Sequence, residues 1–291
     1  MKLFAFGLGY TARCIARDQT AQGVEIVGTV QSVAKAQAIS RAGVTVRVFS
    51  LDHRDTQIAA DIADCDALLV SIPPGPGGDP ALEAYAAAIA SAPRLRWIGY
   101  LSTIGVYGDH KGQWVDERTP TAATSVRSIE RVKAERGWLD LRSATQKPVH
   151  IFRLAGIYGP GRNQLVQVAQ GTARRIVKPG QVFNRIHVDD IARVVNASME
   201  RPRDGAIYNV TDHEPAPPQD VVAFAASLLG RELPPETAID DAVLTPMGRS
   251  FYDENKRVSN QLLRSELGIE LRYPTYREGL TALYEAGDGR N

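Results

Sequence analysis

An α/β fold built on a doubly wound parallel sheet, with a small lobe added in the C-terminal half, follows from three features of this 291-residue sequence. Short, almost continuously apolar runs of strand length alternate with helix-compatible segments through the first half, the pattern of a sheet covered by helices on both faces. The first of these runs passes at once through a glycine turn into a helix. Beyond residue 155 the alternation loosens, and prolines crowd Pro215-Ala216-Pro217-Pro218 and Pro234-Pro235.

Taken in order, Lys2-Leu3-Phe4-Ala5-Phe6 predicts the first strand and Arg13 to Gln22 a helix. Val24 to Val30 reads as the second strand, followed by a helix near Ser32 to Arg41, and Val44 to Phe49 as the third strand. Asp66 to Ser71 is the fourth, ending in the Pro/Gly-rich loop Pro73 to Pro80; the alanine-rich stretch Ala81 to Ala92 predicts a helix. Arg96 to Ser102 is the fifth strand, Ser125 to Ser143 a helix, and Val149 to Leu154 the sixth strand. The expected strand order is 3-2-1-4-5-6, with a seventh strand near Ala206 to Val210. Asn255 to Leu267 and Thr275 to Ala286 look helical. The expected division is a dinucleotide-binding domain over residues 1–160, with 182–210 returning to it, and a smaller substrate lobe over 161–181 and 211–291.

Composition excludes several classes of function. Hydrophobic residues make up 44% and charged residues 23%, as in an ordinary globular protein. A formal charge of +1 gives no support for nucleic-acid or membrane-surface binding. No apolar stretch is long enough to span a bilayer, and the apolar N-terminal run is too short for a signal peptide, so a cytoplasmic protein is expected. Cys14 and Cys65 lack metal-type spacing and read as buried free thiols; no metal site is expected.

Gly7-Leu8-Gly9-Tyr10-Thr11-Ala12 carries the functional expectation. Gly7 allows a tight turn, and Gly9, lacking Cβ, lets backbone approach a pyrophosphate. Ala12 lets the helix pack close to the strand, while the helix start offers N–H groups and a positive dipole end.

Three further segments share this order with a known family: Leu101-Ser102-Thr103-Ile104-Gly105-Val106-Tyr107-Gly108, Arg153-Leu154-Ala155-Gly156-Ile157-Tyr158-Gly159-Pro160-Gly161, and Arg185-Ile186-His187-Val188-Asp189-Asp190-Ile191-Ala192. With them the chain resembles the short-chain dehydrogenase/reductase superfamily, in particular its extended epimerase/dehydratase branch and the atypical members related to it. The resemblance implies a Rossmann-like fold and a small-molecule substrate, with NAD or NADP bound by Gly7, Leu8, Gly9, Tyr10, Thr11, Ala12, Gln31, Ser32, Asp52, Ser71, Pro73 and Ser102. Gln31-Ser32 stands where the acid that takes the ribose 2′-hydroxyl belongs, and Lys35 or Arg41 could attract a 2′-phosphate, so NADP is favoured over NAD. A homodimer is admissible.

The resemblance also implies a relay in which a Ser or Thr holds the substrate oxygen and a Tyr, four residues before a Lys, exchanges the proton. Thr103 falls at the Ser/Thr position. Anchored on Glu135, the Tyr position holds Arg127 and the Lys position Arg131; Lys133 lies off that face. A guanidinium titrates far above neutrality and cannot exchange the proton. Two readings remain. In one, an enzyme uses Thr103 and Tyr107 in catalysis, while Arg127, Arg131, Tyr158, Arg162, Asn163, Arg185 and His187 face an anionic or sugar-like substrate. Tyr158 and His187 are then further proton-transfer candidates. In the other, the dinucleotide site is kept and catalysis is lost. For the arginines the plain alternative is a solvated helix face paired with Glu130 and Glu135; for His187 it is a packing or capping residue.

Overall fold

The computed structural model describes residues 1–40, 44–50 and 52–290. Arg41, one of the two cations expected near a 2′-phosphate, lies outside the described residues. The chain forms two compact units: Met1–Thr103, Val126–Arg153 and Ile191–Tyr208 in the first; Ile104–Ser125, Leu154–Asp190 and Asn209–Asn291 in the second. These units cut the chain at other places than the expected boundaries. Residues 104–125, 154–160, 182–190 and 209–210 group with the C-terminal part.

The first unit is built on a seven-stranded parallel sheet. Its strands are β1 (Lys2–Phe6), β2 (Glu25–Val30), β3 (Thr45–Val48), β4 (Ala67–Val70), β5 (Trp97–Thr103), β6 (Val149–Leu154) and β7 (Ile207–Val210). They lie in the order β7-β6-β5-β4-β1-β2-β3, the expected order with the seventh strand at the edge. Phe4 of β1 aligns with Val27 on one side and Leu68 on the other. Both faces of these strands are covered, so apolar residues occupy successive positions: Leu3 to Phe6 and Ala67 to Val70 are all buried. The chain winds one way from β1 and the other way from β4. The turn after β1 therefore sits at the switch point, where such sheets bind ligands outside their carboxyl ends.

The helices of this unit are α1 (Tyr10–Ala21), α2 (Val33–Ser40), α3 (Ile58–Asp64), α4 (Pro80–Ser91), α5 (Val126–Thr145) and α6 (Val188–Glu200). Asp79 starts α4 by accepting the Ala81 and Leu82 N–H groups, with Pro80 in the first turn, and its other oxygen takes the Trp138 indole N–H at 3.2 Å. Gln19 of α1 donates to Asn196 of α6 at 2.8 Å. α3 has no counterpart among the expected elements: seven residues are too few to show an apolar stripe at helical spacing.

The second unit holds three short parallel ladders, Arg185–His187 on Gly156–Tyr158, Glu236–Ala238 on Arg175–Val177, and Arg257–Val258 on Trp114–Val115. Helices Gln164–Ala169, Pro218–Leu229 and Tyr276–Glu285 pack around Tyr158, Leu165, Val222 and Leu280. The helix expected over Asn255 to Leu267 is shortened to Gln261–Leu267. The Val258 N–H goes to the Asn184 side chain at 2.9 Å, and Arg257 donates through its backbone to Gln113, so non-local partners take the bonds a helix would need. No helix among the described residues is long and apolar enough to cross a membrane.

Candidate functional site

In the first unit, the turn after β1 has the geometry of an anion cradle. Gly7 has φ +91°, and a Cβ there would lie 2.7 Å from Ile72 Cγ2, so both backbone and space demand glycine. Gly9 differs. Its φ of −79° and ψ of −168° suit any residue, and a Cβ would meet nothing within 4 Å. Gly9 is also the N-cap of α1, with no side-chain cap and no acidic residue in the first turn. The start of α1 therefore presents its dipole to open space, with no built-in carboxylate competing for an incoming anion. Leu8, Thr11 and Ala12 are buried, which leaves their backbones to serve the turn and lets α1 pack closely.

Gln31 and Ser32 follow β2 and are exposed, and Ser32 starts α2 by accepting Ala36 N–H at 3.0 Å. Lys35, in the first turn of α2, is exposed and forms no ion pair with the described residues. Asp52 is exposed in the turn closed by Ser50 N–H to His53 O. Ser71 follows β4 and donates its N–H to Phe6 O at 2.9 Å, which puts it beside the glycine turn; Pro73 is exposed further along the same loop.

At the end of β5 the two hydroxyls part. Ser102 is buried, and its hydroxyl donates to Glu135 at 2.5 Å. Glu135 in turn pairs with buried Arg153 at 2.8 Å. The Ser102 side chain is thus tied into the core, leaving its backbone for any cofactor contact. Thr103, the last residue of β5, is half-buried. On α5, Arg127 is exposed, whereas Arg131 turns inward: its Nη1 donates to Leu101 O at 2.6 Å and to the Tyr100 hydroxyl at 3.2 Å. Lys133 pairs with Glu130 at 3.1 Å. The two arginines, one turn apart in sequence, thus differ in exposure, Arg127 at the surface and Arg131 against β5.

In the second unit, Tyr107 is fully buried and its hydroxyl donates to Asn209 at 2.7 Å. Tyr158 and His187 are brought together, ring edge to face at 5.2 Å, and the Tyr273 ring also lies against the imidazole, at 4.2 Å. His187 Nδ1 accepts the Asp189 N–H at 3.2 Å, which places the proton on Nε2, a buried atom without a partner among the described residues. Burial holds the imidazole below its ordinary pKa and raises that of the Tyr158 phenol. Arg185 is buried, its Nη1 donating to Phe183 O at 2.9 Å and Ala216 O at 3.2 Å. Asn163 caps the helix Gln164–Ala169 and reaches Asp288 at 2.5 Å, which is structural work. Arg162 beside it is exposed.

Sequence reasoning missed Arg153 and Asn209. Arg153 left a signal, a charge inside a mostly apolar strand. Its partner could come only from the fold.

Residues 82–211 match the model of the NAD dependent epimerase/dehydratase family. Over 288 residues the chain is 28% identical to Protein YeeZ of Escherichia coli (strain K12), covering 94% of this chain and 96% of that protein. Among solved structures, a conserved protein of unknown function from Silicibacter pomeroyi is 49% identical with a TM-score of 0.89, over 98% of this chain and 99% of that one. UDP-glucuronic acid 4-epimerase from Bacillus cereus, in complex with NAD, is 16% identical with a TM-score of 0.76 over 98% of both chains, a likeness of fold alone.

Proposed function

We propose that this chain, whose residues 82–211 match the NAD dependent epimerase/dehydratase family model, binds NAD or NADP at the Gly7 to Ala12 turn and works as an atypical oxidoreductase or epimerase/dehydratase-like enzyme. Its substrate is small and anionic or sugar-like. The observation that carries the reading is Gly9, an uncapped helix start opening onto empty space with no acid in the first turn. These residues fit a pyrophosphate. A bound nicotinamide would supply hydride exchange with a carbon of the substrate.

The chain's own groups then have defined tasks. The Thr103 hydroxyl, at the carboxyl end of β5, holds the substrate oxygen. Arg127, exposed on α5, meets a substrate carboxylate or phosphate. Arg131 holds the end of β5 in place rather than gripping substrate, because its Nη1 is bound to Leu101. Around the adenosine ribose, Ser32 and exposed Lys35, with no carboxylate at the end of β2, suit the 2′-phosphate of NADP.

A second reading, a catalytically silent dinucleotide-binding protein with a regulatory or assembly role, is favoured by one observation. Tyr107, Tyr158 and His187 are all buried, and Tyr107 is already committed to Asn209. The deciding experiment follows the nicotinamide absorbance of the cofactor-loaded protein while sugar nucleotides, sugar acids and small 2-hydroxy acids are added. Reduction or oxidation with any of them supports the enzyme. A cofactor that binds and stays unchanged throughout supports the silent reading.

A further inference from the structure

We infer that Thr29, on β2, is the positioning residue of the dinucleotide turn, and that the phosphate-facing N–H groups are consequently those from Gly9 onward. The inference rests on the dinucleotide reading of that turn.

Three features of β2 meet the turn. The Gly7 N–H donates to the Thr29 hydroxyl oxygen at 2.9 Å. The Leu8 N–H donates to the Thr29 carbonyl at 2.8 Å. The Leu8 side chain lies over Gly28 so closely that a Cβ there would fall 2.6 Å from Leu8 Cγ. Gly28 and Thr29 thus form a seat that takes two consecutive N–H groups and the one side chain between the turn's glycines.

Each element of the seat has a physical requirement. Thr29 is 1% exposed, so its oxygen faces no water that could replace it. Its β-branch restricts χ1 and keeps the hydroxyl aimed at Gly7. With the hydroxyl gone, the N–H of half-buried Gly7 faces the apolar side of β2 without its acceptor, so Gly7 must shift or lose that bond. With Gly7 and Leu8 both committed to β2, neither can donate to a phosphate. That task falls to the extended residue Gly9 and the first turn of α1, whose direction the seat sets.

The test titrates the full chain and its variants with ADP-ribose, which carries the pyrophosphate, and follows adenosine binding by ligand-observed NMR. Thr29→Val keeps the shape and removes the acceptor. It is expected to weaken ADP-ribose binding at least about fivefold while leaving adenosine affinity unchanged, and Thr29→Ser is expected to bind as wild type. Thr29→Val binding ADP-ribose like wild type would overturn the inference, as would Thr29→Ser losing as much as Thr29→Val. Should Thr29→Val fail to fold, Gly28→Ala addresses the same seat through Leu8: weakened ADP-ribose binding supports the inference, and unchanged binding overturns it. Wild-type chain that binds no ADP-ribose contradicts the dinucleotide reading itself, a result distinct from each of these.

Discussion

Arg131 Nη1 lies 2.6 Å from the carbonyl oxygen of Leu101 and 3.2 Å from the Tyr100 hydroxyl, so the cation at the position of the expected lysine is anchored to β5. Its guanidinium carbon also lies 5.6 Å from the centre of the Tyr100 ring. Arg131→Met keeps much of the apolar stem and removes the donor. The expected loss is about 1–3 kcal/mol of stability in urea titration, because a charged hydrogen bond to a partly buried carbonyl is broken. Unchanged stability would mean that the bond to Leu101 contributes little and that the arginine is available for substrate.

Tyr107 gives the complementary case. Its phenol donates to the Asn209 side-chain oxygen, while the Asn209 backbone N–H donates to the Glu117 carboxylate at 2.9 Å and its side-chain amide donates to Ser259 O at 3.2 Å. Tyr107→Phe should cost about 1 kcal/mol of stability and leave cofactor affinity as it is. If the variant instead kept full stability and lost turnover of an identified substrate, the tyrosine would be a proton donor.

Cofactor choice is tested at Lys35. An exposed lysine opposite a 2′-phosphate contributes about 1 kcal/mol at low salt, roughly fivefold in affinity. Lys35→Ala should therefore weaken NADP by that factor, leave NAD untouched, and lose its effect at high salt. Equal weakening of both dinucleotides would place the lysine elsewhere.

Acid sensitivity follows from a buried imidazole. His150 is stacked on Trp97 with Nδ1 at 3.1 Å from Ile98 O, its Nε2 has no partner among the described residues, and burial lowers its pKa from 6.5 to about 4. Unfolding therefore takes up a proton between those two values. The stabilisation is complete above the unfolded value and is lost as the pH falls toward the folded one, by up to about 3 kcal/mol. Replacing His150 by Phe should flatten the stability profile across that window in urea titrations at successive pH values. An unaltered slope would show that the imidazole is not held neutral.

The sheet could be read from the sequence because its central strands are buried on both faces. Ala67 to Val70 shows this most simply, as an apolar run with no alternation. The Gly7 turn could be read because φ and close packing both demand glycine there. Elsewhere, long-range partners decided the outcome. Arg257 and Val258 sit in a helix-compatible stretch but pair with Trp114 and Val115. The Ser102 hydroxyl, expected along the cofactor, is drawn to Glu135, 33 positions away. Thr29 carries no sequence mark at all, since a threonine in a strand is ordinary and only the fold points its hydroxyl at Gly7. The inward turn of Arg131 is likewise invisible in the spacing of α5, which places it one turn from Arg127 without saying which way either side chain faces.

Calorimetric titration of the wild-type chain and Gly9→Asp with NAD and NADP bears on the whole reading. Aspartate fits the Gly9 backbone, its Cβ meets no atom within 4 Å, and it is a favoured helix N-cap, so the variant should be as stable as wild type or more so by a few tenths of a kcal/mol. Its carboxylate would occupy the pyrophosphate position, costing more than about 2 kcal/mol of binding, roughly thirtyfold. The predicted result is a stable variant that has lost a dinucleotide the wild type binds. A wild type that binds neither cofactor at millimolar concentration, or a Gly9→Asp variant that binds as tightly as wild type, would contradict it.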